Sequence, residues 1–305
     1  MGLVGGALSE RLIGLPRIAY RNEWSIGIYT GPSPFHLVSP EKFNPVLTAK
    51  EVTGVRASFV ADPFMIVRQS VWYMFFEVMN DETKQGDIGL AVSPDGLKWT
   101  YKQIVLDEPF HLSYPYVFQW KDTYYMVPES RQASSVRLYR ADPFPLRWLP
   151  VTTLLYGDFV DPSVVSYRNR WWIFVSHGKE SDELRLYYAN TLEGPYTEHP
   201  KSPIVVRNAR IARPAGRIVV LDNRLYRFAQ DDYRTYGNQV TAFEIIDLTP
   251  ARYEEREVTS GPVLRASGSG WNAEGMHHVD LHQTVDRKWM ASVDGRKSTL
   301  FFRMR

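Results

Sequence analysis

The sequence predicts an all-β chain folded as a five-bladed β-propeller, on three observations. One hairpin pattern recurs five times, the recurrences are evenly spaced, and the two ends of the chain carry complementary parts of one unit. The pattern is clearest in Ala61–Asn80, ADPFMIVRQSVWYMFFEVMN, where an apolar run after Asp62-Pro63 is followed by a polar turn at Arg68–Ser70 and an aromatic run ending on Glu77. Ser113–Ser130, Val160–His177 and Arg213–Asp231 fall into register with it, and His277–Gly295 does so more loosely. Taking Pro63, Pro115, Pro162, Pro214 and Val279 as equivalent, the units lie roughly 50 residues apart, with the last step longer, as expected of four-stranded blades that bury their faces only against neighbours.

Each unit also has an outer half. Ile88–Leu106, Val136–Leu155, Leu184–Val205 and Val240–Val258 each read as an alternating strand, a Pro- or Gly-bearing turn and a second strand. Trp24–Pro40 has this outer pattern with no inner hairpin before it, and after Gly295 only Arg296–Arg305 remains, enough for one more strand. Pairing the two ends would close the ring and remove open sheet edges. Residues 1–305 are therefore expected to form a single propeller domain, with 1–20 as a lead-in. Trp72, Tyr124, Trp171 and Trp289 recur at matching places in the second strands and suit packing between blades. Helix is expected only as a turn or two, at Ser9–Ile13 and within Glu41–Glu51.

Composition narrows the function. The chain has 305 residues, 44% hydrophobic and 23% charged, ample for a buried core. A net charge of +2 without any run of Lys or Arg argues against nucleic acid as a partner. No apolar stretch is long enough for a transmembrane helix, so no direct membrane insertion is expected. Glu10 and Arg11 interrupt the apolar start of the chain, so no signal peptide is expected. The absence of cysteine excludes thiolate metal sites and fits a reducing compartment, and with it a cytoplasmic location, although exported bacterial proteins also commonly lack cysteine.

The innermost strands of a propeller surround a common channel, so Asp62, Tyr114, Asp161, Arg213 and His278, equivalent in the five units, should face one funnel. Asp-Pro can be purely a device for starting a strand. Its occurrence at both Asp62 and Asp161 aims two carboxylates at one place, which is what glycosidic-bond chemistry uses. Glu77 and Glu129 end the second strands of the first two units and are further carboxylates for the rim. Gln230 ends the matching strand of the fourth. Arg131, His177, Arg213, Arg217, His277 and His278 make up the cationic side. They either neutralise the carboxylates or bind an anionic ligand such as a sugar phosphate. His278, Asp280 and His282 alternate along one strand and invite a metal reading, but spacing alone does not establish one, and neither metal nor cofactor is assigned.

ADPF at Ala61–Phe64 and the second Asp-Pro at Asp161–Pro162 resemble the five-bladed propeller glycosidases that include arabinanases, xylosidases and invertase-type enzymes. Together with SYPYVF (Ser113–Phe118), YMVPES (Tyr125–Ser130), DPS with WWIF, RPAGR (Arg213–Arg217), LYRFAQD (Leu225–Asp231) and GMHHVD (Gly275–Asp280), the chain is more closely similar to the N-terminal propeller domain of glucosamine inositolphosphorylceramide transferases and its bacterial relatives. The glycosidase resemblance implies Asp62 as general base or nucleophile and Asp161 as the carboxylate that orients or tunes the acid. The acid itself departs from that pattern. Where those enzymes carry Glu before Pro, this chain has Arg213-Pro214, and an arginine cannot donate a proton at neutral pH. Glu129, and less strongly Glu77, are the replacement candidates. The expected function is an enzyme that cleaves or transfers a glycosidic bond on a carbohydrate or sugar-phosphate ligand in glycan or glycolipid metabolism. The alternative is a non-catalytic glycan-recognition module that partners a glycosyltransferase.

Overall fold

A computed structural model describes residues 17–40 and 43–303. The chain begins with β1 (Arg17–Ser33) and β2 (His36–Val38), then builds four sheets in succession. The first is β3 (Ala57–Arg68), β4 (Val71–Asn80), β5 (Gln85–Ser93) and β6 (Thr100–Leu106). Next come β7 (Ser113–Trp120), β8 (Thr123–Glu129), β9 (Ser135–Ala141) and β10 (Trp148–Tyr156), then β11 (Val160–Tyr167), β12 (Arg170–His177), β13 (Glu183–Ala189) and β14 (Thr197–Glu198). The fourth holds β15 (Arg213–Pro214), β16 (Val219–Leu221), β17 (Arg224–Gln230), β18 (Gln239–Leu248), β19 (Tyr253–Glu257) and β20 (Leu264–Arg265). The fifth combines β21 (Val279–Gln283) and β22 (Trp289–Arg303) with the N-terminal strands, in the order β2-β1-β22-β21. The protein is an all-β, five-bladed propeller.

The ring closes as the terminal complementarity predicts, with one difference. Arg296–Arg303 is not a separate strand but the continuation of β22, which pairs antiparallel with β1 from Arg17↔Arg303 to Gly31↔Trp289. Among the described residues helix is confined to 3₁₀ turns, one of them Ala49–Glu51, where Thr48 and Glu51 form a reciprocal cap. The other expected turn, Ser9–Ile13, lies outside the described residues.

Local sequence explains the inner hairpins. Gln69-Ser70, Arg168-Asn169 and Asp222-Asn223 are two-residue turns with positive φ at both positions, the type I′ geometry whose twist matches that of the flanking strands. The core lies between blades. Ile26 and Ile28 of β1 pack on Val60, Met65, Met74 and Phe76 of the first blade, so the seam that closes the ring is itself a hydrophobic interface. Phe64, Phe75, Tyr114 and Tyr139 are fully buried between the first and second blades, and burying a large apolar side chain contributes about 1.5–3 kcal/mol.

The inner strands share one distortion that matters for function. The strand register shifts between Ala61 and Phe64, Ser113 and Tyr116, and Val160 and Ser163. Within these bulges Asp62, Tyr114 and Asp161 hold φ of 52°, 46° and 50°. Each precedes a proline, which favours extended backbone, so the left-handed conformation is strained by an order of 1–3 kcal/mol per residue. A bulge re-aims a side chain, and here it does so at the same level in three blades.

Candidate functional site

Residues of separate blades meet where those bulges end. Asp161, 1% exposed, accepts at Oδ2 from Arg213 Nε at 2.6 Å and from Gln230 Nε2 at 2.8 Å, while its Oδ1 is buried without a partner. Arg213 also faces Asp232 Oδ2 at 3.5 Å and lies over the ring of Tyr236 at 5.1 Å. Asp62 faces two imidazoles, with His277 Nε2 and His278 Nδ1 each 3.7 Å from its Oδ1. His277 in turn is held by Asp294, which accepts at Oδ1 from Nδ1 at 2.7 Å and from the backbone N–H at 3.2 Å.

The strained backbone is held from the neighbouring blade. Asp294 Oδ2 accepts the N–H of Asp62 at 3.1 Å across the closing seam, and Glu129 Oε2 accepts the N–H of Asp161 at 3.3 Å. Asp294, Glu129 and Glu77 occupy matching places in the second strands, each five residues after an aromatic at Trp289, Tyr124 or Trp72. Glu77 does not repeat the contact and instead lies 3.4 Å from His111 Nε2.

Burial and mutual repulsion divide the protonation states. Burial raises Asp62 to about 7, against the attraction of His277. Burial also pushes Glu129 and Glu77 well above the ordinary carboxylate range, with further repulsion from Asp161 and Asp62, respectively. His277 goes the other way: burial disfavours its charge, but Asp294 outweighs that and raises it to about 9. His278 is lowered by burial to about 4. With Nε2 donating to the carbonyl of Pro63 at 3.1 Å, its unpartnered Nδ1 turns a lone pair toward Asp62, which disfavours a negative charge there. At neutral pH the site therefore pairs a cationic His277 with a neutral His278 on either side of one titrating carboxyl.

Not all the residues expected at the funnel reach it. Asp62, Glu77, Glu129, Asp161, Arg213, Gln230, His277 and His278 converge. Tyr114 lies on the axis but is used structurally: its hydroxyl accepts from Gly216 N–H at 2.6 Å and approaches Ser163 Oγ at 2.8 Å and the carbonyl of Gly216 at 3.0 Å. Arg217 and Asp280 lie in a different layer, joined at 2.6 Å, with Asp280 also accepting from Met65 N–H and His282. Against the cost of burial, Arg217 and His282 hold Asp280 well below the usual carboxylate range. Its oxygens are taken up by these donors, so His278, Asp280 and His282 do not converge as a metal-ligand set. Arg131 pairs with Asp158 at 2.5 Å on the exposed rim, and His177 faces Glu183 at 3.4 Å.

Four contributors went unread in the sequence: Asp294, Asp232, Tyr236 and Trp24. Trp24 stacks on His277 with ring centroids 4.1 Å apart, and Tyr236 meets both rings edge-on. Asp62, His277 and Asp294 also place three metal-ligating atoms within 4.8 Å of one another. His277 Nδ1 and both Asp294 oxygens are already engaged with each other and with the backbone N–H groups of His277 and Asp62.

These features define a five-bladed propeller in which carboxyl, imidazole and guanidinium groups from separate blades form one buried cluster. The chain belongs to the family described as glucosamine inositolphosphorylceramide transferase 1, N-terminal, which matches residues 19–296. It is 39% identical over 295 residues to glucosamine inositolphosphorylceramide transferase 1 of Oryza sativa subsp. japonica, covering 89% of this chain and 40% of the relative. The Arabidopsis thaliana protein of that name is 35% identical over 299 residues, covering 90% and 39%. The chain thus spans about two fifths of the length of these relatives. Among solved structures it is similar to a member of the GH130 family, with TM-score 0.60 at 11% identity, covering 88% of this chain and 94% of that one. An exo-β-1,3-galactanase from Clostridium thermocellum gives TM-score 0.57 at 14% identity, covering 69% and 51%. At such identities the likeness is one of fold. No helix among the described residues is long and apolar enough to cross a membrane.

Proposed function

We propose that the axial funnel binds a carbohydrate and that the protein cleaves or transfers a glycosidic bond there, in glycan or glycolipid assembly. The observation that carries this reading is the division of protonation among carboxyls at one place: Asp62 raised to about 7 and Glu129 higher than the ordinary range, beside an Asp161 ion-paired with Arg213. Separated carboxyl environments are what general acid–base chemistry needs. In this scheme protonated Glu129 donates its proton to the leaving oxygen as the C–O bond breaks. Ionised Asp62 takes a proton from the attacking water or sugar hydroxyl as the new C–O bond forms. Asp161, fixed by Arg213 and Gln230, supplies a negative charge where positive charge develops on the sugar ring.

The charge balance supports a neutral sugar rather than a sugar phosphate. Arg213 is engaged by Asp161 and Asp232, Arg217 by Asp280 and the cationic His277 by Asp294, and His278 is neutral over the physiological range. The relatives' name and the fold of the solved neighbours support a carbohydrate role in the same direction.

One observation favours a second reading, a glycan-recognition module working with a glycosyltransferase. Arg213 stands where the similar glycosidases are expected to carry their acid, and its pairing with Asp161 ties up a carboxylate that chemistry could use. Product analysis after incubation with aryl glycosides, oligosaccharides and sugar nucleotides separates the two. Turnover that disappears in Asp62→Asn and Glu129→Gln supports the enzyme. Binding without turnover supports the module.

A further inference from the structure

One cavity among the described residues lies outside the axial cluster. A space of about 740 Å³ lies beside it, between the β1–β22 ribbon, the segment 44–51 and the start of β3, within the range of small-ligand sites. Trp24, Ser25, Thr48, Lys50, Ser58 and Trp271 are among the residues lining it. Trp24 also stacks on His277, so one indole separates the cavity from the Asp62 cluster.

Trp271 is built as a platform. Gly27 and Gly295 lie on one face of the β1–β22 ladder, in the pairs Gly27↔Val293 and Ser25↔Gly295 on either side of Ile26↔Asp294. A Cβ at Gly27 would stand 2.6 Å from the Trp271 ring, and one at Gly295 would stand 2.5 Å from it. The indole is therefore seated on bare backbone, and either glycine with a side chain would displace it. The next residue locks the turn. Asn272 Nδ2 donates to the hydroxyl of Tyr29 at 2.9 Å, and its Oδ1 accepts from Ser267 Oγ at 2.7 Å.

The charges around the cavity compensate one another. Arg21 pairs with Asp81 at 3.4 Å, Lys297 with Glu23 at 3.6 Å, and Glu51 is held in the cap of the Ala49–Glu51 turn. Lys50 makes no ion pair among the described residues. A seated indole, hydroxyl groups at its sides and little uncompensated charge suit a ligand with an apolar face and hydroxyl-bearing edges. A pyranose ring has that form.

We propose that this cavity is a second carbohydrate site, distinct from the axial cluster, in which a neutral saccharide stacks on Trp271 and hydrogen-bonds the surrounding hydroxyl groups. The site stands on its own geometry and does not depend on chemistry at Asp62.

The test is a titration of the protein with neutral gluco-, manno-, galacto- and arabino-oligosaccharides, following the indole N–H resonance of Trp271 in a ¹⁵N correlation spectrum. Trp271→Phe identifies that resonance. Saturable movement by at least one saccharide is expected, with affinity about tenfold weaker in Ala49→Trp, which fills the cavity while leaving the platform in place, and unchanged in Asp62→Asn. Because no residue of the Ala49–Glu51 turn is buried, this variant tests the site even if Trp271 substitutions disturb folding. Failure of every saccharide to move the signal overturns the proposal, as does binding that Ala49→Trp leaves intact or Asp62→Asn abolishes. A response confined to nucleotides or inorganic phosphate also overturns it.

Discussion

Arg213 donates from Nε to Asp161 Oδ2 across 2.6 Å, joining the start of the fourth inner strand to the strained bulge of the third. Both side chains are shielded, with 16% and 2% exposure, so the pair is partly desolvated. Breaking such a pair from one side leaves an uncompensated charge, at a cost of about 3–5 kcal/mol. Arg213→Met should lower stability on that scale in urea unfolding. The double variant Arg213→Met, Asp161→Asn should recover part of the loss.

Stability should also depend on pH in a way that identifies His277. Its folded pKa of about 9 exceeds the ordinary 6.5, so the folded state holds a proton that the unfolded state has released. The stabilisation is fully present below 6.5 and is lost as pH rises through about 9. Unfolding measured across that interval should show falling stability in the wild type and a flatter profile in His277→Gln. At lower pH the raised Asp62 and the lowered His278 act in opposite senses, so that range is less diagnostic.

The propeller and the meeting of its inner-strand residues were legible because repetition reveals what a single segment conceals. An Asp-Pro is bland alone, but Asp62 and Asp161 at matching positions implied a common axis. Asp294 was equally legible in principle, five residues after Trp289 as Glu77 is after Trp72, but the looser fifth repeat obscured it. Asp232 and Tyr236 lie in the irregular link between β17 and β18, where no period applies. The depth of Arg217 could not be read either. Its inner strand is split into β15 and β16 around Gly216, whose φ of 130° and close approach to the Val279 carbonyl break the alternation of side chains.

Asp294 secures the seam where the ring closes, accepting the N–H of Asp62 and both the N–H and Nδ1 of His277. Asp294→Ala leaves these donors buried, each costing about 1–3 kcal/mol when unsatisfied. The expected result is a lower melting temperature together with a His277 pKa that falls toward the neutral range, read by imidazole NMR. A structural role alone would lower the melting temperature and leave that pKa high.

If Asp62 and Glu129 exchange protons with substrate, turnover should follow a bell in pH. The rising limb lies near 7, where Asp62 ionises, and the falling limb marks loss of the Glu129 proton. Glu129→Gln should remove the falling limb and lower the rate by about 100-fold or more. A profile flat from below 6 to above 8 would assign the chemistry elsewhere.

The most direct measurement is calorimetric titration of wild type, Asp62→Asn and Tyr236→Ala with matched neutral, uronic and phosphorylated sugars at low and high salt. With the Trp271 cavity filled by Ala49→Trp in all three proteins, the expected result is binding of a neutral sugar that changes little with salt and weakens at least about tenfold in both variants, whose melting temperatures stay near that of their parent. Equal binding in all three proteins, or a preference for phosphorylated sugars that collapses with salt, would contradict the assignment of the funnel as a neutral-carbohydrate site.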